Sequence, residues 1–294
     1  MDIYKMITDR IIEKLETGTV PWHKPWRSIG APRNLVSKKF YRGVNIWLLT
    51  AQGYTSPYWA TIRQINQLGG QVRKAEKSTP AVFWKVYVDG VEVKAGEPEP
   101  EGEEANGQGR RRLVLRYYSI FNTEQCKLPA TIADKLALSE NRQLDPLEAC
   151  EKILAGMPNS PEIVHGADKA FYSPMTDRIT MPPRGLFENA DEYWSTFWHE
   201  AAHASGHRKR LNRESINEAA PFGSAVYSKE EVLAEMTAAY LCGIAGIANR
   251  TIDNSAAYIA GWVKQLRDQP KLIIHAAAQA QRACDYILNG MVTE

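Results

Sequence analysis

Trp198-His199-Glu200-Ala201-Ala202-His203 contains the pattern His-Glu-x-x-His. Histidines at i and i+4 on a helix lie on one face about one turn apart, so both imidazoles can reach one tetrahedral ion. Glu200 projects beside that face, where it can accept a proton from a metal-bound water made acidic by the ion. The flanking residues favour a helix. Asp191 is placed to cap it, Tyr193, Trp194, Phe197 and Trp198 give it an apolar body, and Ala201 and Ala202 permit close packing. The segment therefore reads as the centre of a mononuclear metal site of zinc-metallopeptidase type, with His199 and His203 as ligands and Glu200 as general base.

Such a site needs a third ligand. A histidine six residues beyond His203 would complete one familiar arrangement, but that position is Lys209, and His207 is only four residues on. The other arrangement draws a carboxylate from a following helix, with a second acid four residues later to orient a histidine. Ser228-Lys229-Glu230-Glu231-Val232-Leu233-Ala234-Glu235 supplies Glu231 and Glu235 at that spacing. Glu231 is assigned as the ligand and Glu235 as the orienting group, with Glu235 as ligand the alternative; Ser228 and Glu231 also match a helix capping box. Two imidazoles and a carboxylate suit Zn2+ and admit Mn2+, Ni2+ or Co2+. His207, Tyr227 and His165 are unranked candidates for stabilising a developing oxyanion.

Outward from this site the second half reads as a small sheet followed by helices. Asp145-Pro146 opens a helix with a cap and a first-turn proline, closed by Gly156-Met157-Pro158. Strands are expected at Pro161 to His165, Ala170 to Ser173 and Arg178 to Met181, and helices at 191–205, 228–246, 254–268 and 270–289. In the first half, Ile3, Ile7 and Ile11 form a stripe on a helix from Asp2 to Glu16, stopped by Gly18. Shorter helices are expected at Asn45 to Gln52 and Thr61 to Leu68. Pro80 to Asp89 and Arg112 to Phe121 are rich in β-branched and aromatic residues and read as strands. Between them, Lys94 to Arg111 is too rich in Gly, Pro and Glu to build a core and reads as a lax loop. The fold class is α+β: an N-terminal mixed α/β domain over 1–130, then a small-sheet-plus-helices domain over 131–294.

Composition excludes several classes. Among 294 residues no run of about 18 uncharged apolar residues exists, so no membrane span is expected. The charge-dotted first helix does not match a secretion signal, which makes the cytoplasm the expected location. Cys126, Cys150, Cys242 and Cys284 occur singly, as reduced thiols buried among apolar neighbours do, and not as metal ligands or a disulfide framework.

The net charge of +2 conceals an asymmetry: residues 1–130 hold 20 Lys and Arg against 13 Asp and Glu, while the remainder is acidic. The same 130 residues carry five Trp, seven Tyr and three Phe. Aromatic faces that stack on unpaired bases, interleaved with cations that follow phosphates, mark single-strand binders. The candidate contacts are Trp22, Trp26, Tyr41 and Trp59 for stacking, and Arg33, Arg42, Arg63, Arg73, Lys74 and Lys77 for phosphates. Trp47 and one face of the strand through Val82-Phe83-Trp84-Lys85 are expected in the core.

The stretches IIEKLETGTVPWHKPW, APRNLVSKKFYRGVNIWLL and GYTSPYWATIRQINQLGGQVRKAEKSTPAVFW, followed by YYSIFNTEQC, resemble the N-terminal domain of ArdC antirestriction proteins. A similar domain stands at the front of plasmid TraC primases. FYSPMTDRITMPP, HEAAHASGHRKRLNR and YSKEEVLAEMTAAYLCGIAGI resemble the zincin-like metallopeptidase domain that follows it in ArdC proteins. The resemblance implies a plasmid-borne protein that binds single-stranded DNA and protects incoming DNA from host restriction during conjugation. It maps the family's metal motif onto His199, Glu200, His203 and the helix of Glu231. A restriction enzyme or another protein is the implied target of any hydrolysis. Two other functions compete. One is a cytosolic metallopeptidase whose basic half recruits substrates; the other is a replication accessory, for which no primase-like acidic cluster is visible.

Overall fold

A computed structural model of the chain describes residues 2–21, 31–88, 91–93, 111–132, 136, 145–217, 225–247 and 256–289. The expected loop at 94–110 and the aromatic stretch at 22–30, with Trp22 and Trp26, lie outside these residues.

The first helix, α1 (Ile3–Glu16), begins where Asp2 accepts from the amides of Tyr4 and Lys5 and buries its isoleucine stripe with Leu15. A five-stranded sheet follows, in the order β1 (Arg33–Asn34), β2 (Tyr58–Thr61), β6 (Arg111–Asn122), β4 (Thr79–Val88) and β5 (Val91–Val93). Only the β1–β2 pair is parallel. The long β4–β6 pairing is its backbone, running from Thr79 opposite Ile120 to Val88 opposite Arg111. Helix α2 (Val44–Thr50) lies along the edge of β4, where the Asn45 side chain both donates to and accepts from the backbone of Val82 at 2.7 Å. Helix α3 (Ile62–Gln67) starts at Thr61 in a capping box with Gln64, and a two-stranded ribbon pairs β3 (Gln71–Val72) with β7 (Cys126–Lys127).

The second half contains α4 (Pro146–Gly156) and a three-stranded sheet of β8 (Glu162–His165), β10 (Arg178–Met181) and β9 (Phe171–Ser173), with β10 in the middle. Helices α5 (Ala190–Ser205), α6 (Glu214–Asn217), α7 (Ala225–Ala245), α8 (Ala256–Asp268) and α9 (Leu272–Leu288) complete it. The α+β class expected from sequence is what is found. The cap of α5 differs: Asn189, not Asp191, accepts from the amide of Glu192 at 3.0 Å, while Asp191 and Glu192 occupy the first turn, where the helix dipole favours acids.

One hydrophobic cluster runs through both halves. It joins Ile7, Ile11, Trp47, Val82 and Leu115 of the first half to Trp194, Trp198, Tyr240 and Ile287 of the second. At its centre the Trp47 ring on α2 stacks on Tyr240 of α7, with centroids 4.4 Å apart and planes within 8°. Polar ties cross the same boundary: Thr8 donates to the Pro270 carbonyl, Arg267 pairs with Glu16, and Arg42 pairs with Asp285. All four cysteines are free and buried, and burial pushes the thiols of Cys126 and Cys150 up to about 11 and about 12, so they are protonated and unreactive at neutral pH. Among the described residues no helix is long and apolar enough to cross a membrane.

Candidate metal centre and nucleic-acid face

Helix α5 packs its aromatic side into the core and turns His199 and His203 toward α7, whose Glu231 faces them. The two imidazole Nε2 atoms are 3.2 Å apart; Glu231 lies 3.5 Å from that of His199 and 3.6 Å from that of His203. Ligands about 2.0–2.1 Å from a tetrahedral ion stand roughly 3.3–3.4 Å from one another, so the two imidazoles and the Glu231 carboxylate are close enough to share one ion. The donors also suit the ion chemically, as two neutral imidazoles and a carboxylate. Glu200 is buried and lines the same cleft of about 330 Å³, which is walled on its far side by Ala170, Phe171 and Tyr172 of the β9 segment. Burial draws the His199 pKa down, but Glu231, Glu200 and Glu235 outweigh it and raise it above the usual histidine value.

The C-terminal end of α5 is held from two sides. Its last carbonyls lack the amide four residues on that a continuing helix would supply. Arg210 donates to the Ala204 carbonyl at 2.6 Å and Arg213 to that of Ala202 at 2.7 Å. Each arginine is then anchored by an acid. Arg210, fully buried, pairs with Asp177 in the β9–β10 turn and bonds Tyr172. Arg213 pairs with Glu230 of α7 at 2.5 Å. Gly206 is the space that admits this clamp: a Cβ there would stand 2.7 Å from Ile216 and 2.8 Å from the Arg213 guanidinium.

Glu230 is the residue that sequence reasoning missed. Its carboxylate lies 3.5 Å from Nδ1 of His203, on the opposite side of the ring from Glu231, and Ser215 donates to it as well. A metal-bound histidine commonly gives its second N–H to such a partner, which fixes its tautomer and direction. Burial alone would raise the Glu230 pKa; His203 and Arg213 reverse that and hold it down to about 2. His199 differs, since its Nδ1 is buried without a hydrogen-bond partner among the described residues. Glu235, expected to orient a histidine, acts on His199 as a nearby charge, and Glu230 faces the ring of His203. The missed signal was the doublet Glu230-Glu231: neighbours on a helix point about 100° apart, enough to reach both nitrogens of one imidazole.

The other histidines have different partners. His207 is buried, 3.5 Å from Asp177, and His165 meets the Tyr193 hydroxyl at 3.0 Å; neither lines the cleft. The side chain of Tyr227 lies outside the described residues.

Of the expected DNA contacts, two aromatics are corrected. Trp59 is 1% exposed and Tyr41 6%, both packed with Leu49, Ala81 and Ile120, so neither ring can stack on a base. The reason is β2, a four-residue strand paired with the last residues of β6, which places Trp59 inside. Arg42 is engaged by Asp285, Arg33 lies over the Phe40 ring at 4.5 Å, and Arg73 donates to the Glu124 carbonyl at 2.8 Å. Arg63, Lys74 and Lys77 are exposed. Exposed rings occur instead on β4 and β6, where Phe83 and Tyr118 are 40% and 42% exposed, with centroids 5.6 Å apart.

Comparison with known proteins agrees with this architecture. Residues 1–121 match the family model of the N-terminal domain of the anti-restriction factor ArdC, and residues 148–279 match that of a zincin-like metallopeptidase. The crystal structure of metal-free antirestriction ArdC from plasmid R388 superposes with a TM-score of 0.73 at 34% identity, covering 99% of this chain and 97% of that one. The Mn(II)-bound structure of ArdC gives 0.72 at 33% identity, covering 99% of each. An uncharacterized protein, y4eC, of Sinorhizobium fredii is 35% identical over 97% of this chain and 91% of its own length. Two DNA primases TraC of Escherichia coli are each 36% identical over 97% of this chain, which spans only 20% and 27% of their length. The likeness to the primases thus extends beyond the front domain through the metallopeptidase-like half. With a relative matched almost end to end and both family models in order, the chain belongs to the ArdC antirestriction family, its N-terminal domain followed by a zincin-like one.

Proposed function

We propose that this protein is a plasmid antirestriction factor that binds single-stranded DNA through its basic, aromatic N-terminal half and carries a hydrolytic metal centre behind it. The observation that carries the second part is the convergence of His199, His203 and Glu231 beside a buried Glu200. His199, His203 and Glu231 would hold one divalent ion, zinc by preference, with manganese admitted by the same donors. Bound there, the ion supplies a water of lowered pKa and a Lewis acid. Glu200 accepts the proton of the attacking water and returns it to the leaving amine. Glu230 keeps His203 directed inward, and Arg213 keeps Glu230 ionised. The β9 segment closes the cleft opposite, giving an extended polypeptide a wall to lie against; the restriction machinery of the recipient is the substrate class this role calls for. DNA binding is supported by the positive surplus of residues 1–130 and by the rings on β4 and β6.

The test is transfer of an unmodified plasmid into a restricting host that expresses wild type, Glu200→Gln or His203→Ala, with single-strand binding measured on each purified protein. The proposal expects protection by wild type, and retained DNA binding with lost protection in both variants. Full protection by both variants would remove the metal centre from the function. Metal-dependent peptide hydrolysis in a protein that ignores DNA would favour the alternative of a plain cytosolic metallopeptidase.

A further inference from the structure

The β4–β6 register divides the exposed rings between two faces. Residues directly opposite share a face, and Phe83 stands opposite Arg116, Ala81 opposite Tyr118 and Tyr87 opposite Arg112. One face therefore carries Phe83, Lys85, Tyr87, Arg112, Arg116 and Tyr118. The other carries Val82 and Leu115, which enter the shared core, and Trp84, whose ring lies 6.3 Å from that of Tyr4 on α1. Among the described residues the first face is covered only at one end, where Ala81 and Ile120 pack under Tyr41 and Leu49. Beyond Phe83 it is open, with Arg112 and Arg116 exposed.

We propose that this open face is where the chain holds a single-stranded DNA segment, with bases on Phe83, Tyr118 and Tyr87 and phosphates on Arg112 and Arg116. The inference rests on the single-strand reading above and gives it a location. Rings on neighbouring strands of a sheet form a platform for successive unpaired bases, because every base offers a π-face. Phe83 and Tyr118 meet edge to face, so a base can lie on either without separating them from a core. The charge is complementary: among the described residues Lys85, Arg112 and Arg116 stand against Glu92, which Lys85 engages at 2.5 Å and Arg116 also stabilises, so the face keeps a positive surplus for an anion. A protein partner would gain from the rings but meet the surplus positive charge, and a duplex would present only phosphates.

The experiment is fluorescence-anisotropy titration of the full chain with labelled oligothymidylate and with a duplex of equal length. The substitutions are Phe83→Ala, Tyr118→Ala, Tyr118→Phe and the double Arg112→Gln/Arg116→Gln, with Leu113→Ala on the opposite face as control and thermal melting to verify folding. Phe83→Ala and Tyr118→Ala should each weaken single-strand binding roughly 5- to 150-fold, while Tyr118→Phe and Leu113→Ala stay within about twofold of wild type. The double arginine variant should reduce the slope of log K against log salt by about 1.4, near 0.7 per phosphate contact. If wild type binds the oligonucleotide and the ring variants bind it equally well, this face is not the site, though the single-strand reading survives. If wild type binds no single strand, the reading and the location fall together. Equal losses on single and double strands would reduce the face to a phosphate patch and overturn the stacking.

Discussion

Replacing Glu230 with glutamine removes one negative charge and leaves the shape of the side chain intact. The carboxylate it removes is buried against Arg213, His203 and Ser215. Its pKa of about 2, against an ordinary 4.5, corresponds to roughly 3 kcal/mol of preference for the ionised form at neutral pH. Breaking a buried ion pair by removing one partner typically costs about 3–5 kcal/mol, in agreement. The pKa is depressed on folding, so this stability is present above about pH 4.5 and is lost as the pH falls toward 2. Glu230→Gln should therefore lower the unfolding free energy of the metal-free protein at pH 7 by roughly 3 kcal/mol, and the gap from wild type should narrow below pH 4.5. Loss of a group that orients a metal-bound histidine typically costs about 10- to 100-fold in metal affinity. Urea denaturation of the metal-free proteins reads the first quantity and zinc competition with a chromophoric chelator the second. Glu235→Gln is the comparison, since Glu235 acts on His199 as a nearby charge; its effect on affinity should be the smaller. Unchanged denaturation midpoint and unchanged zinc affinity in Glu230→Gln would refute the assignment.

Gly206→Ala should push the Arg213 guanidinium off its position, because the added Cβ would stand 2.8 Å from it; zinc competition should show weaker binding while Glu200, in the preceding turns, is untouched. Trp47→Ala should cost about 3–5 kcal/mol in urea denaturation, and the unfolding should remain a single transition by tryptophan fluorescence and circular dichroism, because the core it leaves is shared. Metal affinity measured by titration calorimetry should fall as the pH drops through the raised His199 pKa, since the proton competes for the same nitrogen. In the metal-free protein the sign reverses: the charged imidazole is stabilised by Glu231, Glu200 and Glu235, so His199 contributes stability below its ordinary value of 6.5 and that contribution disappears at higher pH.

Where side chains repeat with the period of their element, the sequence was readable. The isoleucine stripe and the Gly18 stop defined α1, the β-branched and aromatic runs β4 and β6, and Asp145-Pro146 the start of α4. The spacing of His199 and His203 anticipated that both would face one point. In the first half the strands β1, β2, β3, β5 and β7 were not readable, because two to four residues there show no alternation, whereas the equally short β8, β9 and β10 were anticipated. That omission had a consequence at the nucleic-acid face: without β2, Trp59 looked like a surface ring among cations, when pairing with β6 buries it. Phe83-Trp84 and Tyr117-Tyr118 place rings on both faces of their strands, and only the register and the packing of α1 decide which face stays open. Glu230 escaped for a similar reason, since its role depends on where α7 passes His203 and not on spacing along its own helix.

The Trp47–Tyr240 stack also bears on how the two halves are inherited. Tyr240 sits on the helix that carries Glu230 and Glu231, and Trp47 on the helix that edges β4. A recombination event joining the front of one relative to the back of another would create a mismatched interior at this contact, even with both ligand sets and both surfaces intact. The two regions should therefore be inherited as one block, in keeping with primases that match this chain across both. A chimera between relatives should fold only when the residues at 47 and 240 come from the same parent.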